Sequence, residues 1–361
     1  MQTVKHEKGK KPKITLNVIE IFLGNLKKDY DIYAPVRKVG AGRLSGTDLV
    51  TYGYIESVSE IVFDEKTFFS AKDFMFPLRE VMFKSSNGDL IEEKTAIRPA
   101  ILFLRSCDIH ALRILDLMFL KSGGGEDPYY KKRREKIKIF LLECPQAFEN
   151  CYCVSLGTNT TQDYSVFIRK GVESCAIQIK DQEFAGYFPN IESCEELDNI
   201  QPFFSQKDSL TINIPDKIDE RIFKHEIWDE YSKRCIACGR CNTSCPTCTC
   251  FTVQSIPDAD DPGIFYRTRV WSSCQVADFS RLAGNHNFRV DIGQRMRYKV
   301  LHKISDFKKR NGFHMCTGCG RCDDVCPEYI SMAKSINKMN EAVKIMISED
   351  ASIPESLKER V

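Results

Sequence analysis

The chain has 361 residues, 42% of them hydrophobic, and a formal charge of +2. That is long enough for two domains of ordinary size, and the charge is too balanced to draw the protein to nucleic acid or acidic membranes. No apolar run approaches membrane-spanning length, and no apolar segment directly follows the basic MQTVKHEKGKKPK start, as an export signal would require. Seventeen cysteines without such a signal fit a reducing cytoplasm, where thiols stay free, better than an oxidising compartment.

In chain order, the first dozen residues read as a solvated tail. Leu16, Ile19, Leu23 and Leu26 then repeat at helical spacing and predict an amphipathic helix. The short apolar runs 52–56 and 60–64 read as strands. The stretch 74–83 reads as a short buried helix after Pro77, and 85–90 as a turn.

The segment 98–107, RPAILFLRSC, is a continuous apolar strand ending at Cys107, and a helix over 108–120 follows with Asp108 as its N-cap candidate. Gly123, Gly124 and Gly125 end that helix. A charged helix over 128–136 leads to a second apolar strand, 137–144, ending at Cys144. Strand, helices and strand of this length predict a right-handed crossover between parallel neighbours, whose C-terminal ends share one sheet edge. Cys151 and Cys153 follow at the i, i+2 spacing that faces one way in an extended chain. Cys107, Cys144, Cys151 and Cys153 thus converge, four thiols being the number one [4Fe–4S] cube needs. The alternatives are four structural thiols sharing a neighbourhood, or a nucleophile built from Cys107 and His110. The run Lys131 to Arg134 reads as a solvated helix face, with a docking role as its alternative. Cys175 and Cys194 stand alone and read as incidental thiols, and 182–220 reads as a domain junction.

The C-terminal third holds two copies of one pattern, CIACGRCNTSCP and CTGCGRCDDVCP. Both follow C-x-x-C-x-x-C-x-x-x-C-P, the spacing that wraps a [4Fe–4S] cube, with the fourth cysteine of each copy serving the other cube. One cluster is therefore assigned Cys235, Cys238, Cys241 and Cys326, and its neighbour Cys316, Cys319, Cys322 and Cys245. Gly239 and Gly320 let each loop turn closely around the sulfurs. A zinc site made of two C-x-x-C pairs leaves the third cysteine of each loop without a role. Between the two copies lie Cys248, Cys250 and Cys274, read as small apolar packers or as non-standard ligands. The stretch 295–307 and the run Ile336, Met339, Val343 and Met346 predict two further helices. The expected architecture is an α/β domain over 1–215 and a helical, ferredoxin-like dicluster domain over 216–361. Neither a G-x-G-x-x-G turn nor a G-x-x-x-x-G-K-[ST] loop is present, and no hydrolytic triad can be assembled, so no catalytic residue is named.

RSCDIHALRILDLMFL, LLECPQAFENCYCVSLGTNTT, RCIACGRCNTSCPTCTCF, WSSC followed by AGNHNFR, and MCTGCGRCDDVCPEYI together resemble the A-subunit family of anaerobic sulfite reductases. The beta subunits of cytoplasmic sulfhydrogenases are more distantly similar. The resemblance runs from about residue 30 to 345 and is weakest at the N-terminus and around 165–215. It implies an iron–sulfur electron-transfer subunit without an active site of its own. That subunit would relay electrons from an NADH-oxidising flavin subunit to a sirohaem subunit that reduces sulfite to sulfide. It also implies cysteines at the positions of Cys107, Cys144, Cys151 and Cys153, hence a third cube, and at those of Cys248, Cys250 and Cys274. Arg240 and Arg321, beside the third cysteine of each loop, are expected either to tune the clusters or to pair at the surface. The alternatives are a sulfhydrogenase beta subunit or a free-standing carrier.

Overall fold

The computed structural model describes residues 14–86, 89–92, 96–171, 174–189 and 200–352; the N-terminal tail and Cys194 lie outside them. In chain order, β1 (Ile14–Thr15) leads into α1 (Leu16–Leu26), whose Ile19, Leu23 and Leu26 are buried as their spacing predicts, together with Phe22, while Leu16 is only partly buried. Then come β2 (Asp31–Lys38), β3 (Leu49–Tyr54), β4 (Arg79–Ser86), β5 (Asp89–Glu92), β6 (Ala100–Arg105), α2 (Ser106–Leu120), α3 (Pro128–Arg134), β7 (Ile137–Leu142), β8 (Val166–Lys170) and β9 (Ser174–Ile179). The C-terminal part holds α4 (Asp229–Arg234), α5 (Arg240–Thr243), β10 (Phe251–Pro257), β11 (Ile264–Trp271), α6 (Ile292–Leu301), α7 (Phe307–Asn311), α8 (Arg321–Asp324) and α9 (Met332–Ser352).

Seven strands form one sheet in the order β1-β9-β8-β7-β6-β2-β3. Its centre is parallel: β6 pairs with both β2 and β7, and β7 with β8. The apolar runs of β6 and β7 are continuous because both faces are covered. Ile101, Phe103, Phe140 and Leu142 point into the core against α1, while Leu102, Leu104 and Leu141 point into the core against α2 and α3. Period-two alternation thus splits one apolar strand between two cores.

Several local expectations are corrected. Residues 79–86 form β4 rather than a helix, because β11 pairs with them across a four-stranded antiparallel sheet ordered β10-β11-β4-β5. That sheet joins strands from both sides of the expected boundary at 215/216. Residues 60–64 are not a strand: Ser57 and Glu60 close a capping box that turns the chain there. The helix after β6 begins at Ser106, so Cys107 and Asp108 both lie in its first turn, and its N-cap is Arg105 instead of Asp108. The helix over 295–307 is interrupted by a π turn, His302–Asp306. The basic run on α3 is not wholly solvated either, since Arg133 binds the buried Glu80 at 2.9 Å and Arg134 binds Asp116 at 3.0 Å.

A third core unites Trp228, Tyr231, Met296, Val300, Ile304 and the buried face of α9, namely Ile336, Met339, Val343 and Met346. Tyr152, from the N-terminal part, is buried within it, and Cys235, Cys316, Cys322 and Cys326 pack against it. Helices that look amphipathic in sequence therefore build the wall behind the cysteine loops.

Candidate metal centres

Each cysteine loop is shaped by residues in the left-handed region. In the first loop these are Ala237 (φ 54°) and Gly239 (φ 76°); in the second, Gly318 (φ 65°) and Gly320 (φ 70°). Gly239 and Gly320 immediately precede the short helices α5 and α8, so the chain reverses between the second and third cysteines. The second loop carries a further constraint. A Cβ on Gly318 would lie 2.5 Å from the Tyr152 carbonyl oxygen, and one on Gly320 would lie 2.3 Å from that of Asn150. Only glycine permits this loop to press against the 150–153 segment.

The structure gathers the predicted sets of thiols around three cavities. Cys235, Cys238, Cys241 and Cys326 line the first. Cys245, Cys316, Cys319 and Cys322 line the second. Cys107, Cys144, Cys151 and Cys153 line the third. The first two are neighbours: Cys241, Cys322, Lys299 and Met332 stand on the walls of both. The third joins the second through the 150–153 segment. Tyr152 N donates to Gly318 O at 2.8 Å, Cys151 Sγ reaches Cys319 O at 3.5 Å, and the Tyr152 hydroxyl lies 3.3 Å from Cys316 Sγ. The three cavities therefore run in a row, with the second in the middle. At the outer end, Cys238 is exposed.

The surroundings suit anionic groups. Lys299 and Lys303, one turn apart, are each 4% exposed. Burial works against their charge, yet Cys241 and Cys322 hold the Lys299 ammonium well above its ordinary pKa, and Cys245, Cys248 and Cys316 raise that of Lys303. Lys303 Nζ also donates to Thr247 Oγ1 at 2.8 Å. Lys72, 3% exposed, donates to the carbonyls of Asn242 and Cys248, and burial lowers its pKa. At the third cavity, Arg105 reaches Cys144 Sγ at 3.3 Å, and Lys66, ion-paired to Asp324 at 2.6 Å, approaches Cys151 Sγ. Burial pushes the thiols the other way: Cys153 and Cys319 rise to about 12. A buried thiol gives up its proton when a metal supplies the countercharge. Each predicted set of four thiols, lining one cavity and attended by lysine or arginine side chains, fits a [4Fe–4S] cube with its net negative charge.

Backbone and side-chain donors point at the sulfurs as well. Ala237 N donates to Cys235 Sγ at 3.4 Å, and Ile330 N to Cys326 Sγ at 3.3 Å. Thr247 Oγ1 lies 3.4 Å from Cys245 Sγ. Such bonds are among the levers that set cluster potentials.

Two expectations about side chains need revision. Arg321 is not a surface residue: it is 1% exposed and binds Asp108 with two hydrogen bonds of 2.6 and 2.8 Å. Arg240 is exposed. His110 does not face Cys107 as a base; its ring nitrogen lies 2.8 Å from the Thr160 carbonyl. The lysines escaped the sequence reading. Their signal was two charges, Lys299 and Lys303, at i, i+4 beside the apolar stripe of Met296, Val300 and Ile304.

A family model described as a 4Fe-4S dicluster domain matches residues 234–330. Over 336 residues the chain is 29% identical to sulfhydrogenase 2 subunit beta of Pyrococcus furiosus, a match covering 89% of this chain and 96% of that protein. No solved structure matches. The chain thus carries an iron–sulfur dicluster region and is related, over most of its length, to a hydrogenase subunit.

Proposed function

We propose that the chain is an electron-relay subunit of an oxidoreductase complex, holding three [4Fe–4S] cubes in a row. The observation that carries this reading is the row of three cavities, each walled by one of the three sets of four cysteines predicted from spacing. Cys235, Cys238, Cys241 and Cys326 would hold the outer cube, Cys245, Cys316, Cys319 and Cys322 the middle one, and Cys107, Cys144, Cys151 and Cys153 the inner one. When bound, each cube supplies a one-electron centre whose potential depends on charge, hydrogen bonding and exposure. The chain's own residues provide those levers. Lys299 places one positive charge between two sets of thiolates, Arg105 and Lys66 attend the inner set, and Met296, Ile330 and Met332 give the outer set an apolar wall.

In its finer form the proposal follows the sequence resemblance. The complex is an NADH-dependent anaerobic sulfite reductase of the cytoplasm, in which a flavin subunit donates and a sirohaem subunit accepts. Flavins deliver electrons in pairs and sulfite consumes several, so one-electron centres between them reconcile the two. The 29% identity to a sulfhydrogenase beta subunit favours a second reading, in which the same relay ends at a nickel–iron subunit.

Two measurements test this. Iron and acid-labile sulfide on anaerobically purified protein are expected at about twelve each per chain, falling to about eight in Cys107→Ser or Cys151→Ser. About eight in fully loaded wild type would return the inner four cysteines to a structural role. Gentle isolation from the native host identifies the terminus: a sirohaem subunit supports the first reading, a nickel–iron subunit the second, and a lone chain neither.

A further inference from the structure

The outer cavity adjoins a surface cleft that the three cysteine sets do not use. Of the twelve predicted ligand cysteines, Cys238 is the exposed one, so the row of cavities comes nearest to solvent at the outer set. Arg240 stands on the walls of both the outer cavity and the cleft. Val325, just before Cys326, and Tyr329, three residues after it, also line the cleft. The N-terminal part contributes Arg43 and Leu44, from the loop between β2 and β3, and Phe69. Arg43 ties the two parts together, its Nη1 donating to Asp324 O at 2.7 Å.

Two properties of the cleft concern what lies outside the chain. The first is exposed apolar surface. Leu44 and Phe69 are exposed, as is Ile236 beside Cys238, and Tyr329 is 87% exposed. The left-handed backbone of Tyr329 (φ 52°) serves the outer set, because it leads to the Ile330 N–H that meets Cys326 Sγ at 3.3 Å, but the tyrosine ring stays uncovered. Aromatic side chains and arginine around one apolar patch are the composition of an interface core. The second property is charge. Arg43 and Arg240 line the cleft, no Asp or Glu does, and neither guanidinium is ion-paired among the described residues. The Asp324 carboxylate is held by Lys66 and Asn150 instead.

We propose that this cleft docks the redox protein that exchanges electrons with the outer cube, and that the partner presents an acidic segment carrying an apolar side chain. This rests on the relay reading above. Electron tunnelling falls steeply with distance, so the partner's centre has to approach the outer set, and the cleft shares Arg240 with that set's cavity. Carboxylates of the partner pair with Arg43 and Arg240, and its apolar side chain fills the space between Leu44, Phe69 and Tyr329. Desolvated arginine and tyrosine are where interfaces concentrate their energy, while opposite charge steers the encounter and selects the partner. A second copy of this chain docking by the same face would set arginine against arginine, which disfavours a dimer there. Each transfer oxidises one centre by one electron and reduces the other by one, with no bond made or broken.

The experiment uses the iron-replete complex isolated anaerobically from the native host, with a photo-cross-linking amino acid replacing Leu44 or Tyr329. Mass spectrometry should find both positions joined to one segment of one redox subunit, with Asp or Glu beside an apolar residue in that segment. The dissociation constant of the complex is then measured by mass photometry at several ionic strengths. Wild-type binding should weaken as salt rises, because salt screens exposed charges. Arg43→Glu combined with Arg240→Glu should weaken it at least about tenfold and reverse the salt dependence. Leu44→Asp, at an exposed position, should weaken it while leaving both arginines in place. Cross-links to a second copy of this chain, or to a segment without acidic residues, overturn the proposal. So does an intact complex with no cross-link at either position, or an unchanged affinity in the iron-replete variants. A chain isolated alone, or iron well below about eight per chain in wild type, would instead overturn the relay reading itself.

Discussion

The guanidinium of Arg321 grips the carboxylate of Asp108 at 2.6 and 2.8 Å with both side chains almost wholly removed from water. Arg321 precedes Cys322 of the middle set, and Asp108 follows Cys107 of the inner set, so one buried ion pair joins the two. Arg321 also donates to Thr67 at 2.9 Å through both its Nε and a terminal nitrogen. The pair is the rivet between the parallel sheet and the dicluster loops.

Cutting it on one side should be costly. Arg321→Met strands a buried carboxylate, a change that costs about 3–5 kcal/mol, and chemical denaturation should show a loss of that order. Arg321→Lys should recover only part of it, because one ammonium cannot reproduce the two-pronged grip. Asp108→Leu combined with Arg321→Met should be more stable than Arg321→Met alone. Additive losses would show that the pair is not a coupled unit.

Lys299 stands on the walls of both the outer and middle cavities. Lys299→Met removes a positive charge next to two negative centres, which makes each harder to reduce. Coulomb's law at an effective dielectric of about 20 and a separation of about 6 Å gives a downward shift on the order of 100 mV. An EPR-monitored redox titration reads it. An unchanged pair of potentials would mean the lysine charge is screened.

Gly318→Ala should separate the sites. Its Cβ would meet the Tyr152 carbonyl at 2.5 Å in a left-handed conformation, so the 150–153 segment must move. Iron bound by the middle and inner sets is expected to fall, while the outer set keeps its share. Gly239→Ala meets Ser273 Cβ at 3.0 Å and should be milder, as the left-handed Ala237 nearby already suggests. Equal losses in the two variants would contradict this ordering.

His302 supplies a pH dependence. Burial first, then Lys303 and Arg310, lower its pKa to about 4 in the folded chain, against about 6.5 in the unfolded one. Between these values the unfolded state binds the extra proton, so stability is lost as pH falls from about 6.5 toward 4. Asp306 opposes this, raising the pKa, and Arg289 adds to it. The Tm of wild type should drop more steeply across that window than the Tm of His302→Gln. Parallel slopes would show that other groups control the acid limb.

Legibility in the sequence followed the range of the forces involved. The helix α1 and the parallel pairing of β6 with β7 were readable from spacing, because helical period and strand alternation are local rules. Even the gathering of Cys107, Cys144, Cys151 and Cys153 followed from one topological rule, that parallel strands end on a common edge. Where local rules competed with distant partners, only the tertiary structure decided. Residues 79–86 became a strand because β11 supplies a ladder far along the chain. Asp108, a plausible cap by composition, was taken instead by Arg321. Lys72, Lys299 and Lys303 look like ordinary solvated charges in sequence. Their meaning arises from burial among thiols, a property that exists only once the chain has closed around them.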